Sequence, residues 1–131
     1  NIKSSDNDFY LIGARSFEDS FEHEYAHALY YTNENYKSNV DKLILDIPVD
    51  LYKDLKKCLM DNSYSESVID DEIQAYLSTG FHIFLRDKNY FSKIYYKYII
   101  NKVATKFSDL YNTYKLDPKN FEEIDLGQTY I

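Results

Sequence analysis

Glycine and proline, the residues that most tight turns require, are scarce in this chain. Only three glycines and two prolines occur among its 131 residues. An all-β sandwich or barrel needs many tight turns, so this scarcity argues against both. Hydrophobic residues make up 44% of the sequence, which can fill one core. We therefore expect one mainly α (α+β) domain over residues 1–131, and the missing initial methionine suggests a piece excised from a longer chain.

The charge balance disfavours two kinds of partner. The chain carries 15 basic and 22 acidic residues, a formal net charge of -7. A surface of that sign repels phosphate groups, so we expect no nucleic acid and no membrane as partners. No apolar run approaches the roughly 18 residues that a membrane helix needs, and no signal peptide is recognisable. Cys58 is the only cysteine, which excludes an internal disulfide but leaves the compartment open.

The N-terminal part of the chain predicts a strand followed by a helix. Residues 9–14 form an apolar run with β-forming residues, which predicts a short strand. Ser16, followed three residues later by Asp19, resembles a capping box. The capping pair predicts that a helix starts here. Apolar residues then recur at helical spacing until about Tyr31, which predicts that the helix ends there.

The remainder of the chain also predicts mostly helices. The predicted elements are a turn over 32–39, a short helix over 40–45, a helix from 48 to 60, a helix over 68–77 and a long C-terminal helix over about 88–115. Pro48 suits a first helical position, Ser67 predicts a cap, and Gly80 predicts a helix end. Residues 81–85 are ambiguous between strand and helix. Four tyrosines on the last helix are interpreted as core and partly wet surface rather than as a ligand groove: Tyr95, Tyr98, Tyr111 and Tyr114.

One stretch of the predicted first helix carries chemistry. It reads His-Glu-Tyr-Ala-His from His23 to His27, and a spacing of four puts both imidazoles on one helix face. Imidazole suits Zn²⁺, which lowers the pKa of a bound water to about 7 and makes water a nucleophile. Glu24 lies one step round the helix, where it can act as general base. The alternative is a solvated helix face on which the three residues coincide by chance.

A catalytic zinc site needs a third protein ligand besides two histidines. The metzincin pattern is excluded, because it requires glycine and histidine where this chain has Tyr30 and Asn33. A glutamate from a separate helix is the other common solution, and Glu72 is the candidate. Ala75, three residues later, is small enough to let two helices approach closely.

The sequence HEYAH followed by DDEIQAY resembles the gluzincin group of zinc metallopeptidases, whose motif is HExxH plus a downstream glutamate in an ExxA-like context. The resemblance covers about residues 8–77. Within the group, the chain is most similar to the minimal, single-domain members. It implies a zincin-like core, one Zn²⁺ per chain held by His23, His27 and Glu72, Glu24 as general base, and a peptide or protein substrate. Larger members lay substrate along a sheet. This chain supplies one short strand. Three explanations stay open: an additional upstream domain completes the cleft, a partner chain completes it, or peptidase activity has been lost.

Several residues compete for the remaining roles. Asp71 is an alternative to Glu72, but adjacent helical residues point about 100° apart, so only one can reach the metal. We favour Glu72 and interpret Asp71 as part of a solvated face. His82 is a further candidate for a nitrogen ligand. The donor that stabilises the transition-state oxyanion has four candidates: His82, Tyr76, Arg86 and Tyr90.

The sequence therefore predicts a zinc-dependent hydrolase, most simply a metallopeptidase. Two readings of other classes stay open. One is a zinc-binding interaction or regulatory module on the same scaffold without peptidase turnover. The other is a metal-free helical binding domain.

Overall fold

The structure is a computed structural model of the chain, and it is mainly helical. It describes residues 2–3, 9–10, 17–85 and 94–115, with side chains from 21 to 81, at 83 and 84, and from 95 to 115. The elements in chain order are β1 (Ile2–Lys3), β2 (Phe9–Tyr10), α1 (Phe17–Thr32), α2 (Glu34–Asp46), α3 (Val49–Asp61), a 3₁₀ turn (Glu66–Val68), α4 (Ile69–Thr79), α5 (His82–Leu85) and α6 (Ile94–Lys115). The mainly α class predicted from the sequence is therefore correct.

The predicted N-terminal strand coincides in part with β2. This strand pairs antiparallel with β1, with Ile2 opposite Tyr10 and Lys3 opposite Phe9. Residues 11–14 of the predicted strand lie outside the described residues, and so does Ser16 of the expected capping box. The helix predicted to follow is present as α1.

The segment from 32 to 39 is mostly helical, so the predicted turn was wrong. Helix α1 ends at Thr32, and α2 begins at Glu34. The side chain of Asn33 accepts a hydrogen bond from the backbone N–H of Tyr36 at 2.9 Å, which satisfies an unpaired donor of the first helical turn. Tyr36 is completely buried, although its neighbours are polar. Packing of this one ring therefore outweighs the polar composition that predicted a turn.

The predicted cap of α4 was also wrong. Ser67 lies within the 3₁₀ turn, where its hydroxyl forms a hydrogen bond with the hydroxyl of Ser65 at 3.0 Å. Helix α4 begins at Ile69, directly after this turn, so Val68 and not Ser67 precedes it.

The other helix boundaries need smaller corrections. Pro48 precedes α3 instead of occupying its first position. Gly80 ends α4 with a φ of 150°, a conformation that glycine adopts without steric cost. The ambiguous segment 81–85 contains α5, a single turn of helix. Helix α6 matches the predicted long helix from Ile94 onward, and residues 86–93 lie outside the described part.

Helix α4 is central to the described core, because it packs against α1, α2, α3 and α6. Its buried residues are Ile69, Ile73, Gln74, Ala75, Leu77 and Ser78. Ala75 is fully buried, as are Ala26 and Ala28 on α1. Small side chains on both helices allow close approach, so the first turn of α4 is held against the middle of α1.

A polar cluster ties α1 to the far end of α6. Lys115 binds the Glu22 carboxylate through both oxygens, at 2.9 Å for Oε2. The hydroxyl of Tyr111 donates to the same carboxylate at 2.8 Å, and that of Tyr25 donates to the Lys115 carbonyl at 3.4 Å. Because Glu22 directly precedes His23, these contacts anchor the helix that carries the histidine pair.

The tyrosines of α6 divide between core and surface, as expected. Tyr111 is buried and Tyr114 half-buried, whereas Tyr95 and Tyr98 are exposed. Cys58 is buried in α3 and is not part of a disulfide. Among the helices that the structure describes, none is both long enough and apolar enough to cross a bilayer.

Candidate metal centre

The two histidines of α1 face the same point. His23 and His27 lie one helical turn apart, and their Nε2 atoms are 3.0 Å from each other. Their rings are nearly perpendicular, with an interplanar angle of 80°. This is the arrangement that the four-residue spacing predicts.

Glu72, in the first turn of α4, completes the cluster. Its Oε1 lies 3.2 Å from His23 Nε2, and its Oε2 lies 3.2 Å from His27 Nε2. Two ligands bound at about 2.0–2.1 Å to a tetrahedral zinc ion are about 3.3 Å apart. The two imidazole nitrogens and the carboxylate are therefore spaced almost as one face of such a tetrahedron. Among the described residues, His23, His27 and Glu72 are the group of three that could hold a metal ion.

Asp71 contacts His27 from the other side of its ring. The Asp71 carboxylate lies 2.8 Å from His27 Nδ1. The interpretation of Asp71 as a solvated side chain was therefore wrong. A carboxylate on Nδ1 keeps the proton on that nitrogen and aims the lone pair of Nε2 at the site, which is the usual support for a metal-binding histidine.

The charges within the cluster compensate one another. Burial opposes the charged form of His27, but hydrogen bonds with Asp71 and Glu72 and the charges of both carboxylates outweigh burial and raise its pKa to about 10. Burial also opposes ionised Glu72, but hydrogen bonds and charges from the two histidines lower its pKa to about 2. In the metal-free protein at neutral pH, His27 is therefore a cation between two carboxylates. A bound metal ion replaces the proton on Nε2.

Tyr76 packs directly on the first histidine. Its ring centroid lies 4.4 Å from that of His23, and its hydroxyl is 2.7 Å from the hydroxyl of Tyr64. Phe84 also packs against Tyr76, with the two ring centroids 5.8 Å apart. The packing restricts rotation of the His23 imidazole. Tyr64 lies in the loop before α4, and no sequence pattern pointed to it.

Glu24 directly follows His23 and is half-buried. Within the described part of the chain, no hydrogen bond or ion pair engages its carboxylate. Its carboxylate is therefore not committed to another group of the described residues, which leaves it able to accept a proton.

The structure leaves three of the oxyanion-donor candidates unplaced. His82 begins α5, but its side chain lies outside the described part. Arg86 and Tyr90 lie wholly outside the described residues. Tyr76 is the candidate whose side chain is described, and it lies beside the cluster.

The donor set itself discriminates between metals. Two imidazoles and one carboxylate are the ligands of several catalytic zinc sites, whereas Mg²⁺ and Ca²⁺ prefer oxygen ligands throughout. The residues present therefore fit zinc. In comparisons with known proteins, no family model, no curated protein and no solved structure matches this chain.

Proposed function

We propose that this chain is a zinc-dependent hydrolase, specifically a metallopeptidase of gluzincin type with a zincin-like core. The observation that carries the proposal is the convergence of three donors from two helices. The Nε2 atoms of His23 and His27 and the carboxylate of Glu72 lie 3.0–3.2 Å apart, although 45 residues separate the last two along the chain. An accidental His-Glu-His triplet on a solvated helix face gives no reason for a half-buried carboxylate from another helix to lie against both histidines.

Each residue has one role in this proposal. His23, His27 and Glu72 would hold one Zn²⁺ per chain, and Asp71 would orient His27. Zinc held there would supply Lewis-acid chemistry, which polarises a carbonyl group and makes water nucleophilic at neutral pH. The substrate would be a peptide or protein.

Proton transfer would fall to Glu24. Its carboxylate would accept a proton from the attacking water and return it to the leaving amine when the peptide bond breaks. The half-burial of Glu24 supports this role, because partial exclusion of water strengthens its interaction with a reacting group. Tyr76 is the proposed donor to the oxyanion among the described side chains, since it lies against His23.

Metal content is the first test. We expect elemental analysis of purified wild type to give about one zinc per chain, and Glu72→Ala and His23→Ala to give far less. Glu66→Ala is the matched control, because it removes an exposed carboxylate just before α4 and should leave zinc content unchanged. A folded wild type that contains no zinc and takes up none would contradict the proposal.

Turnover is the second test. We expect wild type to cleave members of a peptide library, and a chelator to abolish cleavage. Glu24→Gln should retain zinc and lose about 100-fold or more of the rate, since general-base catalysis contributes about 10²–10⁴-fold. Zinc binding with no product from any peptide would instead indicate the zinc-binding interaction or regulatory module.

A further inference from the structure

A buried amide lies behind the metal centre. Gln74 is on α4, it is completely buried, and both of its amide atoms form hydrogen bonds. Its Nε2 donates to the Ala26 carbonyl on α1 at 3.0 Å and to the Asp71 carboxylate at 3.0 Å. Its Oε1 accepts from the Tyr36 hydroxyl on α2 at 2.7 Å. One side chain therefore links three helices within hydrogen-bond distance of the group that supports His27.

These contacts leave the amide a single orientation. The Ala26 carbonyl and the Asp71 carboxylate only accept hydrogen bonds, so they require the NH₂ end of Gln74. The Tyr36 hydroxyl then donates to the remaining oxygen. A flipped amide would set oxygen against two acceptors, and a buried mismatch of that kind is costly. Tyr36 thus fixes the amide, and the amide fixes the Asp71 carboxylate.

We propose that Gln74 is a positioning residue of the metal centre, which acts through Asp71 on the orientation of His27. This inference rests on the proposed function, which supplies the metal ion. The hydrogen bonds that carry it run from Tyr36 through Gln74 and Asp71 to His27. The contact with Ala26 adds a second effect, because it fixes α4 against α1 at the residue before His27. The imidazole of His27 and the carboxylate of Glu72 are thereby held at the spacing that a metal ion requires.

A double-mutant cycle tests whether Gln74 acts through Asp71. We expect Gln74→Met to weaken zinc binding by about tenfold, within the range seen when outer partners of metal ligands are removed. In an Asp71→Ala background, the same substitution should weaken zinc binding by no more than about threefold, because only the effect of the Ala26 contact remains to be lost. Equal weakening in both backgrounds, or none in either, would overturn the proposal.

Thr32→Val is the matched control. Thr32 is also buried, and its hydroxyl donates to the Ala28 carbonyl on α1 at 2.7 Å, without a contact to Asp71. We expect this variant to melt at a lower temperature but to bind zinc as wild type does. A loss of zinc affinity equal to that of Gln74→Met would show that any buried hydrogen bond has this effect, which contradicts a positioning role.

A second measurement covers a Gln74→Met protein that does not fold. Tyr36→Phe keeps the ring in the core and removes only the hydroxyl that orients the amide. We expect this substitution to weaken zinc binding when Asp71 is present and to have no effect on zinc binding when Asp71 is replaced by alanine. Unchanged binding in Tyr36→Phe would remove Tyr36 from the chain of contacts and, without a folded Gln74 variant, would overturn the proposal.

The His27 ring proton separates this inference from the proposed function. If wild type binds no zinc, the proposed function fails, but the same contacts can be observed in the metal-free protein by ¹⁵N-edited NMR. We expect the Nδ1 proton of His27 to exchange slowly with solvent in wild type and Thr32→Val, and quickly in Gln74→Met or Tyr36→Phe. Equal exchange in all four proteins would overturn the role of Gln74.

Discussion

The first turn of α4 and the remainder of that helix lie in the same core but differ in chemistry. The first turn carries three acidic residues, and each has a partner on another helix: Asp70 accepts from the Tyr52 hydroxyl at 2.6 Å, Asp71 faces His27, and Glu72 faces both histidines. Ile73, Ala75 and Leu77 follow, and they bury apolar surface. A helix N-terminus stabilises negative charge, so the acidic turn also stands at the favourable end of the helix.

This difference implies a division of labour along one helix. The apolar part determines where α4 lies, because hydrophobic burial provides most of the stability of a packed helix. The acidic turn determines what the helix can bind. If this division is correct, substitutions in the apolar part should affect mainly stability, and substitutions in the acidic turn should affect mainly zinc binding.

The largest effect is expected from Ile73→Ala. Ile73 is fully buried in the centre of the core, and truncating such a residue costs about 2–5 kcal/mol of the free energy of unfolding. Urea denaturation in the presence of a chelator measures this loss. Although Ile73 directly follows Glu72, it contributes no atom to the cluster, so the zinc affinity of the remaining folded protein should change less than about threefold. A tenfold loss of zinc affinity would show that the two parts of α4 are not separable.

Asp71→Asn should show the opposite pattern. The amide oxygen can still accept from His27 Nδ1, but the negative charge that supports this histidine is removed. We expect zinc to bind about 10–100-fold more weakly, or about 1.4–2.7 kcal/mol, in competition with a chelating dye.

Asp70→Asn is the control for that substitution. Asp70 is the adjacent residue, and its partner is the Tyr52 hydroxyl on α3 rather than a histidine. The same chemical change there should leave zinc affinity within about twofold of wild type. Equal losses at both positions would assign the effect to the total charge of the turn and not to the contact with His27.

Zinc binding should release protons at neutral pH. His27 has a pKa raised to about 10, so it carries a proton at pH 7 that zinc must displace. Glu72, whose pKa is lowered to about 2, has none to release. Apparent zinc affinity should therefore rise by up to about tenfold per pH unit between about pH 7 and 9. Calorimetry in two buffers of different ionisation enthalpy measures the released protons directly, and zinc binding without release would contradict the charge assignment.

The same two groups set the pH dependence of the metal-free fold. The pKa of His27 is raised above its ordinary value of 6.5, so its contribution to stability is complete below about pH 6.5 and is lost as pH rises through about 10. The lowered pKa of Glu72 acts in the opposite direction, so its contribution is present above about pH 4.5 and is lost as pH falls towards about 2. Metal-free stability should thus be highest between about pH 4.5 and 6.5 and should decrease on either side.

Local patterns predicted the helices and the histidine pair well. Spacing of apolar residues was enough for α1, α3 and α6, because one helix face must be apolar to pack. His23 and His27 share a face for the same geometric reason. Glu72 came from the family resemblance, and its place opposite the histidines depends on how α1 and α4 pack.

The contacts that support the site could not be predicted in this way. The sequence predicted Asp71 to be part of a solvated face, and no sequence pattern singled out Gln74. Their roles depend on partners that are remote in sequence, since Gln74 contacts Ala26, 48 residues away, and Tyr36, 38 residues away. Tyr36 itself stood in a segment whose polar composition predicted a turn. Tertiary packing determines the roles of Asp71, Gln74 and Tyr36. A single sequence contains no periodic signal for such packing between distant segments.

The smallest effect is expected for an ion pair on the protein surface, which sharpens the contrast with the acidic turn of α4. Lys57 and Asp61 are one turn apart on α3, their N–O distance is 3.2 Å, and both side chains are largely exposed. Water and salt screen such a pair, so Lys57→Gln should lower the free energy of unfolding by at most about 0.5 kcal/mol. About 1 M salt should remove the difference, because the screening length falls to about 3 Å. The contact between His27 and Asp71 is less exposed, with exposed side-chain fractions of 10% and 30%, so most of the Asp71→Asn loss in zinc affinity should persist at the same salt concentration. If both effects vanished together, the acidic turn would act as general surface charge rather than through defined contacts.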